Sequence, residues 1–129
     1  MNREILFRAK GQTSDKWYEG LLTRLDKDVC HIKDIRHNEW ICDPETVFQY
    51  TGLADKNGRK IFEGDIIKRE IIGSFVIGEI AWVDIGFCGF YLKCRNSYYP
   101  MGKDNEYTGK SECDEVIGNI FDNPELLKE

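Results

Sequence analysis

The stretch that decides the fold of this chain is Gln49-Tyr-Thr-Gly-Leu-Ala-Asp-Lys-Asn-Gly-Arg-Lys-Ile-Phe-Glu-Gly-Asp-Ile-Ile67. It predicts a turn, a short strand and a second turn. The pair Asn57-Gly58 tolerates positive φ and is a strong hairpin signal. At the second turn, Gly64 reverses the chain and the Asp65 carboxylate is expected to hydrogen-bond the turn backbone. The stretch therefore predicts short strands joined by tight turns.

The sequence on both sides of this stretch has the same strand character. Residues 28–33 alternate apolar and polar side chains with a period of two, and helical periodicity is nowhere sustained for more than about two turns. Residues 73–94 are the most β-rich part, with a long strand bent at Gly78. The polar residues 96–114 predict one long loop.

We therefore predict a mainly β fold. It would consist of a small SH3-like or partly open β-barrel over about residues 50–121, an N-terminal β-sheet segment and a short C-terminal helical turn. Residues 1–129 form one predicted domain, with possible sub-units 1–48 and 49–129.

The charge distribution argues against a non-specific nucleic-acid binder. The net charge is −5, and residues 104–129 hold eight acidic and two basic side chains, so the acidity lies in the C-terminal quarter. Proteins that bind nucleic acid without specificity usually carry a basic stripe. The nearest candidate here contains five cations and is interrupted by Glu63 and Asp65: Lys56, Arg59, Lys60, Lys68 and Arg69.

The sequence predicts a cytoplasmic protein without a membrane segment. No apolar run approaches the roughly 20 residues that span a bilayer, and the N-terminus does not resemble a secretory signal. The cysteine count of five is odd, which favours reduced thiols and hence a cytoplasmic setting.

Candidate metal and catalytic residues have the right types but the wrong spacing. Cys30, His31, His37 and Cys42 suit zinc chemically, yet adjacent strand residues point to opposite faces and no Cys-x₂₋₄-Cys pair is present. Glu63 and Asp65 could work as paired carboxylates, but a turn explains them. Neither a nucleophile elbow nor a glycine-rich phosphate loop occurs. We predict no catalytic residue, no bound metal and no cofactor.

One apolar segment stands out within the predicted loop. Tyr98-Tyr99-Pro100-Met101 places large apolar side chains where a loop has little reason to hold them. We therefore predict Tyr98, Tyr99 and Met101 as an interface patch.

Two segments resemble the YopX family of bacteriophage and prophage proteins: residues 49–67, and the closing Val116-Ile-Gly-Asn-Ile-Phe-Asp-Asn-Pro-Glu-Leu-Leu127. The opening residues 3–8 also look like the start of family members. The resemblance implies a phage or prophage origin, an intracellular bacterial setting and a mainly β fold. It brings no catalytic residues to carry over.

Three functions remain open at this point. The first is a non-enzymatic module that binds an unknown phage or host protein, or that assembles with itself as a homo-oligomer. The second is a nucleic-acid-binding β-barrel, which the net charge disfavours because phosphate contacts need lysine and arginine. The third is an enzyme acting on a small molecule. The first is preferred, since the other two lack a supporting motif.

Overall fold

The computed structural model of the chain describes residues 5–102 and 110–128. Within these ranges the elements are strands, apart from two 3₁₀ turns at Pro44–Thr46 and Pro124–Leu127. The prediction of a mainly β fold is therefore confirmed. The strands are β1 (Phe7–Lys10), β2 (Trp17–Leu25), β3 (Cys30–Lys33), β4 (Glu39–Cys42), β5 (Phe48–Asp55), β6 (Lys60–Phe62), β7 (Asp65–Ile71), β8 (Ser74–Asp84), β9 (Cys88–Lys93), β10 (Tyr98–Pro100), β11 (Lys110–Ser111) and β12 (Asp114–Asn119).

The chain divides into two compact units, Met1–Tyr50 and Thr51–Glu129. In the first unit, β1 to β4 form consecutive antiparallel pairs, and the first residues of β5 pair with β1. Its core consists of Ala9, Cys30, Ile32 and Cys42, all fully buried. Burial alternates along β3, because successive strand residues point to opposite faces.

The second unit contains a five-stranded antiparallel sheet in the order β10-β9-β8-β7-β12. The last residues of β5 pair with β11 in parallel, and β6 also pairs with β5. The core side chains are aliphatic: Ile61, Ile67, Ile80, Leu92 and Val116. Among the described residues the strands do not close into a barrel, because β10 and β12 are the terminal strands of this sheet. The described strands thus form two sheets and no closed barrel.

Tight turns connect these strands where the sequence predicted them. Gly64 has φ of 82°, a left-handed conformation that glycine adopts without strain. The buried Asp65 carboxylate accepts a hydrogen bond from the Phe62 amide at 2.8 Å, as expected. The turn leads directly into β7, whose Ile66 and Ile67 side chains are fully buried.

The predicted loop over residues 96–114 is wrong in part. The structure contains the strand β10 at residues 98–100 and the two-residue strand β11 at residues 110–111. Strands of two or three residues are too short to show a period of two, so the sequence pattern could not reveal them. Residues 103–109 of the predicted loop lie outside the described residues.

Candidate interaction surfaces

A groove of about 920 Å³ opens in the second unit. Its walls come from β8, from the connection between β9 and β10, and from the C-terminal 3₁₀ turn. We call it the sheet groove, and its lining residues are Phe75, Val76, Ile77, Glu79, Lys93, Cys94, Arg95, Asn96, Ser97, Tyr99, Leu126, Leu127 and Lys128. The groove thus combines apolar and cationic side chains.

Gly78 positions one wall of the sheet groove. A Cβ atom at this residue would lie 2.4 Å from the Lys93 carbonyl oxygen and 2.9 Å from Cys94 Sγ. The absence of a side chain lets the end of β9 approach β8 closely. The chain then turns sharply, because the Cys94 amide donates to the Ser97 carbonyl at 2.9 Å. This turn brings residues 94–97 to the rim of the groove.

The C-terminal 3₁₀ turn forms another wall, and Asn123 fastens it to β12. Its amide donates to the Asn119 carbonyl at 2.8 Å, and its Oδ1 accepts from the Asn119 amide at 3.2 Å. The turn starts at Pro124, which lacks an amide and suits the first helical position. Leu126 and Leu127 are consequently held at the groove while remaining more than one third exposed.

Charged side chains also line the sheet groove. It is lined by three cationic side chains, Lys93, Arg95 and Lys128, and by one carboxylate, Glu79. Glu79 and Lys93 are cross-strand partners in the register of β8 and β9, so they oppose each other. Arg95 and Lys128 are the other two cationic side chains of the lining.

The Cys94 thiol in the groove is kept neutral. Burial raises its pKa above the ordinary value of 9.0, and the nearby Arg69 charge offsets part of this rise. A thiolate, the form that attacks electrophiles, is therefore scarce at neutral pH.

A second surface arises because β8 and β9 are longer than their neighbours. The β7 pairing ends at Glu79 of β8, and β10 pairs only with residues 91–93 of β9. Among the described strands, none besides these two pairs with residues 81–84 or 88–90. Residues 81–90 therefore form a two-stranded extension of the sheet, which we call the projecting hairpin.

The projecting hairpin carries exposed apolar side chains. Phe87 is 82% exposed and Trp82 is 57% exposed, and Ile85 is also exposed. Trp82 packs edge-to-face on Phe90 with ring centroids 4.9 Å apart, which orients the indole. Apolar groups gathered at one exposed point favour contact with another protein.

The structure separates the three predicted interface residues. Tyr98 is 43% exposed, and its ring lies edge-to-face with that of Tyr91, whose hydroxyl donates to the Phe87 carbonyl at 2.8 Å. Tyr99 points the other way, because it is the next strand residue; it packs on the core and lines the sheet groove. Met101 also packs on the core, and its sulfur accepts from Arg69 Nη2 at 3.1 Å. An interface at these residues stays a prediction.

The candidate zinc residues are divided between two faces of the first unit. Cys30 and Cys42 are cross-strand partners, and both are buried. His31 lies on the opposite face, with Nδ1 3.3 Å from Glu39 Oε1, and His37 lies in a turn with φ of 68°. Among the described residues, no three His, Cys, Asp or Glu side chains are grouped to hold a metal ion.

Sequence reasoning predicted two strands and a turn within residues 79–94, but it missed the sheet groove and the projection of residues 81–90 beyond the neighbouring strands. Phe75, Lys93 and Lys128 are far apart in sequence, and only the strand register and the C-terminal turn bring them together. The one local signal for the groove was Gly78. The sequence analysis interpreted this glycine as a bend in the strand and not as a site where β9 approaches β8 closely. In the described residues, no helix is long and apolar enough to cross a bilayer.

Comparison with known proteins assigns the family. The family profile described as YopX protein matches residues 6–128. The chain belongs to the YopX family. This match extends the YopX resemblance from the two quoted segments to nearly the whole chain. None of the curated proteins is significantly similar to this YopX chain.

A solved structure supports the fold of this YopX chain. The crystal structure of protein EF1440 from Enterococcus faecalis is 25% identical in sequence, with a TM-score of 0.56. The likeness covers 98% of the YopX chain and 100% of the other chain. It therefore includes both units.

Proposed function

We propose that this YopX-family chain is a non-enzymatic β module that assembles with a second copy of itself through the projecting hairpin. The observation that carries the proposal is the exposure of Trp82, Ile85 and Phe87 on a hairpin that extends beyond its neighbouring strands. In this proposal, the module serves a phage or prophage inside a bacterial cell. None of the five cysteines is in a disulfide bond in the structure, which supports a reducing cytoplasmic setting.

A second copy of the chain would cover the exposed strand edges and apolar side chains of this hairpin. A two-stranded hairpin is at best marginally stable by itself, and unpaired strand edges invite pairing with another chain. A two-fold axis would place the same apolar patch on both sides of the contact, so the surface would be complementary to itself. Phe87 and Trp82 would then be covered by their counterparts.

The sheet edge formed by β10 is poorly suited to such pairing. The strand β10 is three residues long and ends at Pro100, which has no amide hydrogen to donate. The Pro100 carbonyl oxygen already accepts from Arg69 Nη1 at 3.1 Å. Self-assembly through the projecting hairpin is therefore favoured over addition of a strand at β10.

Native mass spectrometry and light scattering of the reduced, untagged protein test the proposal. We expect a closed oligomer, and we expect the double variant Trp82→Ser/Phe87→Ser to be a monomer. The matched control is Ile35→Ser/Ile72→Ser, which replaces two apolar side chains outside the projecting hairpin that are 94% and 106% exposed. This control variant should remain oligomeric. A wild-type monomer at high micromolar concentration, or an oligomeric hairpin variant, would contradict the proposal.

A further inference from the structure

We propose that Cys30 and Cys42 form an oxidative modification site, a thiol pair that hydrogen peroxide converts reversibly into a disulfide within the chain. The inference goes beyond the proposed function, because it concerns the interior of the first unit and not the projecting hairpin. Both cysteines are free thiols in the structure, and both are fully buried.

The backbone places the two cysteines at the separation that a disulfide needs. They are directly opposed in the antiparallel register of β3 and β4. At the end of this hairpin the Asp34 amide donates to the Asn38 carbonyl, and every second opposed pair from there is also a hydrogen-bonded pair. Cys30 and Cys42 belong to that series, in which the Cα atoms lie about 5.5 Å apart. Disulfides most often join Cα atoms about 5.5–6 Å apart.

The side chains of the pair lie on the same face of the sheet. Cys30 and Cys42 belong to one buried cluster with Ala9 and Ile32, so both sulfur atoms face the core of the first unit. Burial raises the pKa of Cys42, and a hydrogen bond from the Cys30 thiol offsets part of that rise. Burial and the same contact raise the pKa of Cys30 to about 11. The two sulfur atoms are therefore neighbours, and Cys42 is the thiol that loses its proton first.

The oxidation consumes one peroxide molecule in two steps. The Cys42 thiolate attacks one peroxide oxygen, the O–O bond breaks, and the departing hydroxide takes up a proton to become water. The Cys30 thiol then gives up its proton and attacks the sulfur of the Cys42 sulfenic acid, so that an S–S bond replaces the S–O bond. The second hydroxide leaves with that proton as water. Two thiols are thus oxidised to a disulfide, and hydrogen peroxide is reduced to two molecules of water.

The burial of the pair favours a small oxidant. Hydrogen peroxide is little larger than water, whereas a bulky oxidant needs the strands to separate. The strand β4 lies at the end of its sheet, and residues 39–41 of this strand are exposed. Local opening costs least where few buried contacts hold a segment. A brief opening of β4 therefore gives peroxide access to Cys42.

The resulting disulfide is expected to be easily reduced. The Cβ atoms of directly opposed strand residues lie about 4.5–5.5 Å apart, whereas a relaxed disulfide has a mean Cβ separation of about 3.8 Å. The bond between Cys30 and Cys42 therefore draws the two strands together and stores strain. Strained disulfides are reduced more readily than relaxed ones. The modification is consequently reversible by a dithiol.

The test is peptide mapping of the full-length wild-type protein after hydrogen peroxide treatment and alkylation of the remaining thiols. Trypsin cleaves after lysine and arginine, so Cys30 and Cys42 fall in the separate peptides 28–33 and 37–56. We expect most of the Cys30 to be recovered in a linked pair of these two peptides. Treatment with dithiothreitol before alkylation should release both peptides with free thiols.

Two variants show whether the second thiol is required. In Cys30→Ala the Cys42 sulfenic acid has no partner, so it should proceed to sulfinic acid, which dithiothreitol does not reverse. The matched control is Cys88→Ala, which removes an exposed thiol and should give the same linked peptides as wild type. If Cys30→Ala does not fold, the wild-type map still decides, because it depends on no variant.

Three results would overturn the inference. One is that Cys30 and Cys42 both remain alkylatable after the exposed Cys88 has been fully oxidised. Another is a disulfide from either residue to Cys88, Cys94 or Cys113 in place of the expected link. The third is a link between Cys30 and Cys42 that forms only in urea, which would show that the native strand register does not bring the two sulfur atoms together.

Discussion

Arg69 and Asp114 face each other as cross-strand partners of β7 and β12 and form a two-pronged ion pair. Arg69 Nε lies 2.6 Å from Asp114 Oδ1, and Nη2 donates to Oδ2 at 2.9 Å. The Asp114 side chain is fully buried, and that of Arg69 is 15% exposed. Ser111 Oγ donates to the same carboxylate at 2.6 Å. This pair therefore connects three strands of the second unit.

Replacing Asp114 by Asn should destabilise the protein strongly. The change leaves the Arg69 guanidinium without its countercharge in a mostly buried site, which typically costs about 3–5 kcal/mol of unfolding free energy. Urea unfolding measures this loss. The control is Glu70→Gln, which removes a more exposed ion pair in which Lys56 Nζ lies 3.4 Å from Glu70 Oε1. This change should barely shift the midpoint of urea unfolding. Similar losses of unfolding free energy in both variants would contradict the expectation that burial makes the Arg69–Asp114 pair the more important one.

Replacing Asp55 by Ala should also lower stability. The carboxylate of this buried residue accepts hydrogen bonds from the amides of Asn57 and Arg59 through Oδ1 and from that of Val116 through Oδ2, each at 2.9 Å. Without it, at least the buried Val116 amide loses its partner, so we expect a loss of about 2–3 kcal/mol. Thermal unfolding measures the loss, and faster hydrogen exchange at Val116 should accompany it.

A matched control for this change lies in the first unit. Asp26 accepts from the amides of Asp28 and Val29 in the same manner, but its carboxylate is exposed to solvent. Water can replace the lost bonds there, so Asp26→Ala should lower the melting temperature much less. Equal shifts for the two variants would show that burial of Asp55 is not the cause.

Replacing Gly78 by Ala should disrupt the junction of β8 and β9. The new methyl group would lie 2.4 Å from the Lys93 carbonyl oxygen, a backbone atom that cannot move without the strand. Overpacking of this kind costs about 1–3 kcal/mol. Gly89 in the same sheet is the control, because its added Cβ would meet only the Tyr91 ring at 3.8 Å. Urea unfolding should show little change for Gly89→Ala, and an equally stable Gly78→Ala would disprove the close approach.

Alkaline pH should weaken the first unit through its buried thiols. Burial raises the pKa of Cys30 from 9.0 to about 11, and the neighbouring Cys42 and Asp43 add to the rise. The unfolded state therefore releases this proton at lower pH than the folded state does. The contribution of the neutral thiol to stability is complete below pH 9 and is lost as the pH rises from about 9 to 11.

Unfolding free energies measured at intervals from pH 8 to 11 test this expectation. Lysine and tyrosine side chains also titrate in that window, so the comparison is with Cys30→Ala, which should show a shallower decline. Parallel curves for the two proteins would mean that the Cys30 thiol does not titrate differently in the two states.

The hairpin and turn signals in the sequence were sufficient to predict the local structure at two turns. Asn57-Gly58 and Gly64-Asp65 marked their turns correctly because the chemistry of a turn is contained in adjacent residues. The YopX family was also visible in two short segments. The strands at residues 98–100 and 110–111 were not, because so few residues show no periodicity.

By itself, the sequence determined that the chain forms strands, where its tight turns lie and to which family it belongs. These properties depend on residues that are neighbours along the chain. Only the tertiary structure decided that Arg69 meets Asp114, that Cys30 faces Cys42 and that Lys93 and Lys128 share one groove. Strand register sets these contacts, and register depends on the packing of the whole sheet, because a shift by one residue would turn every side chain to the other face.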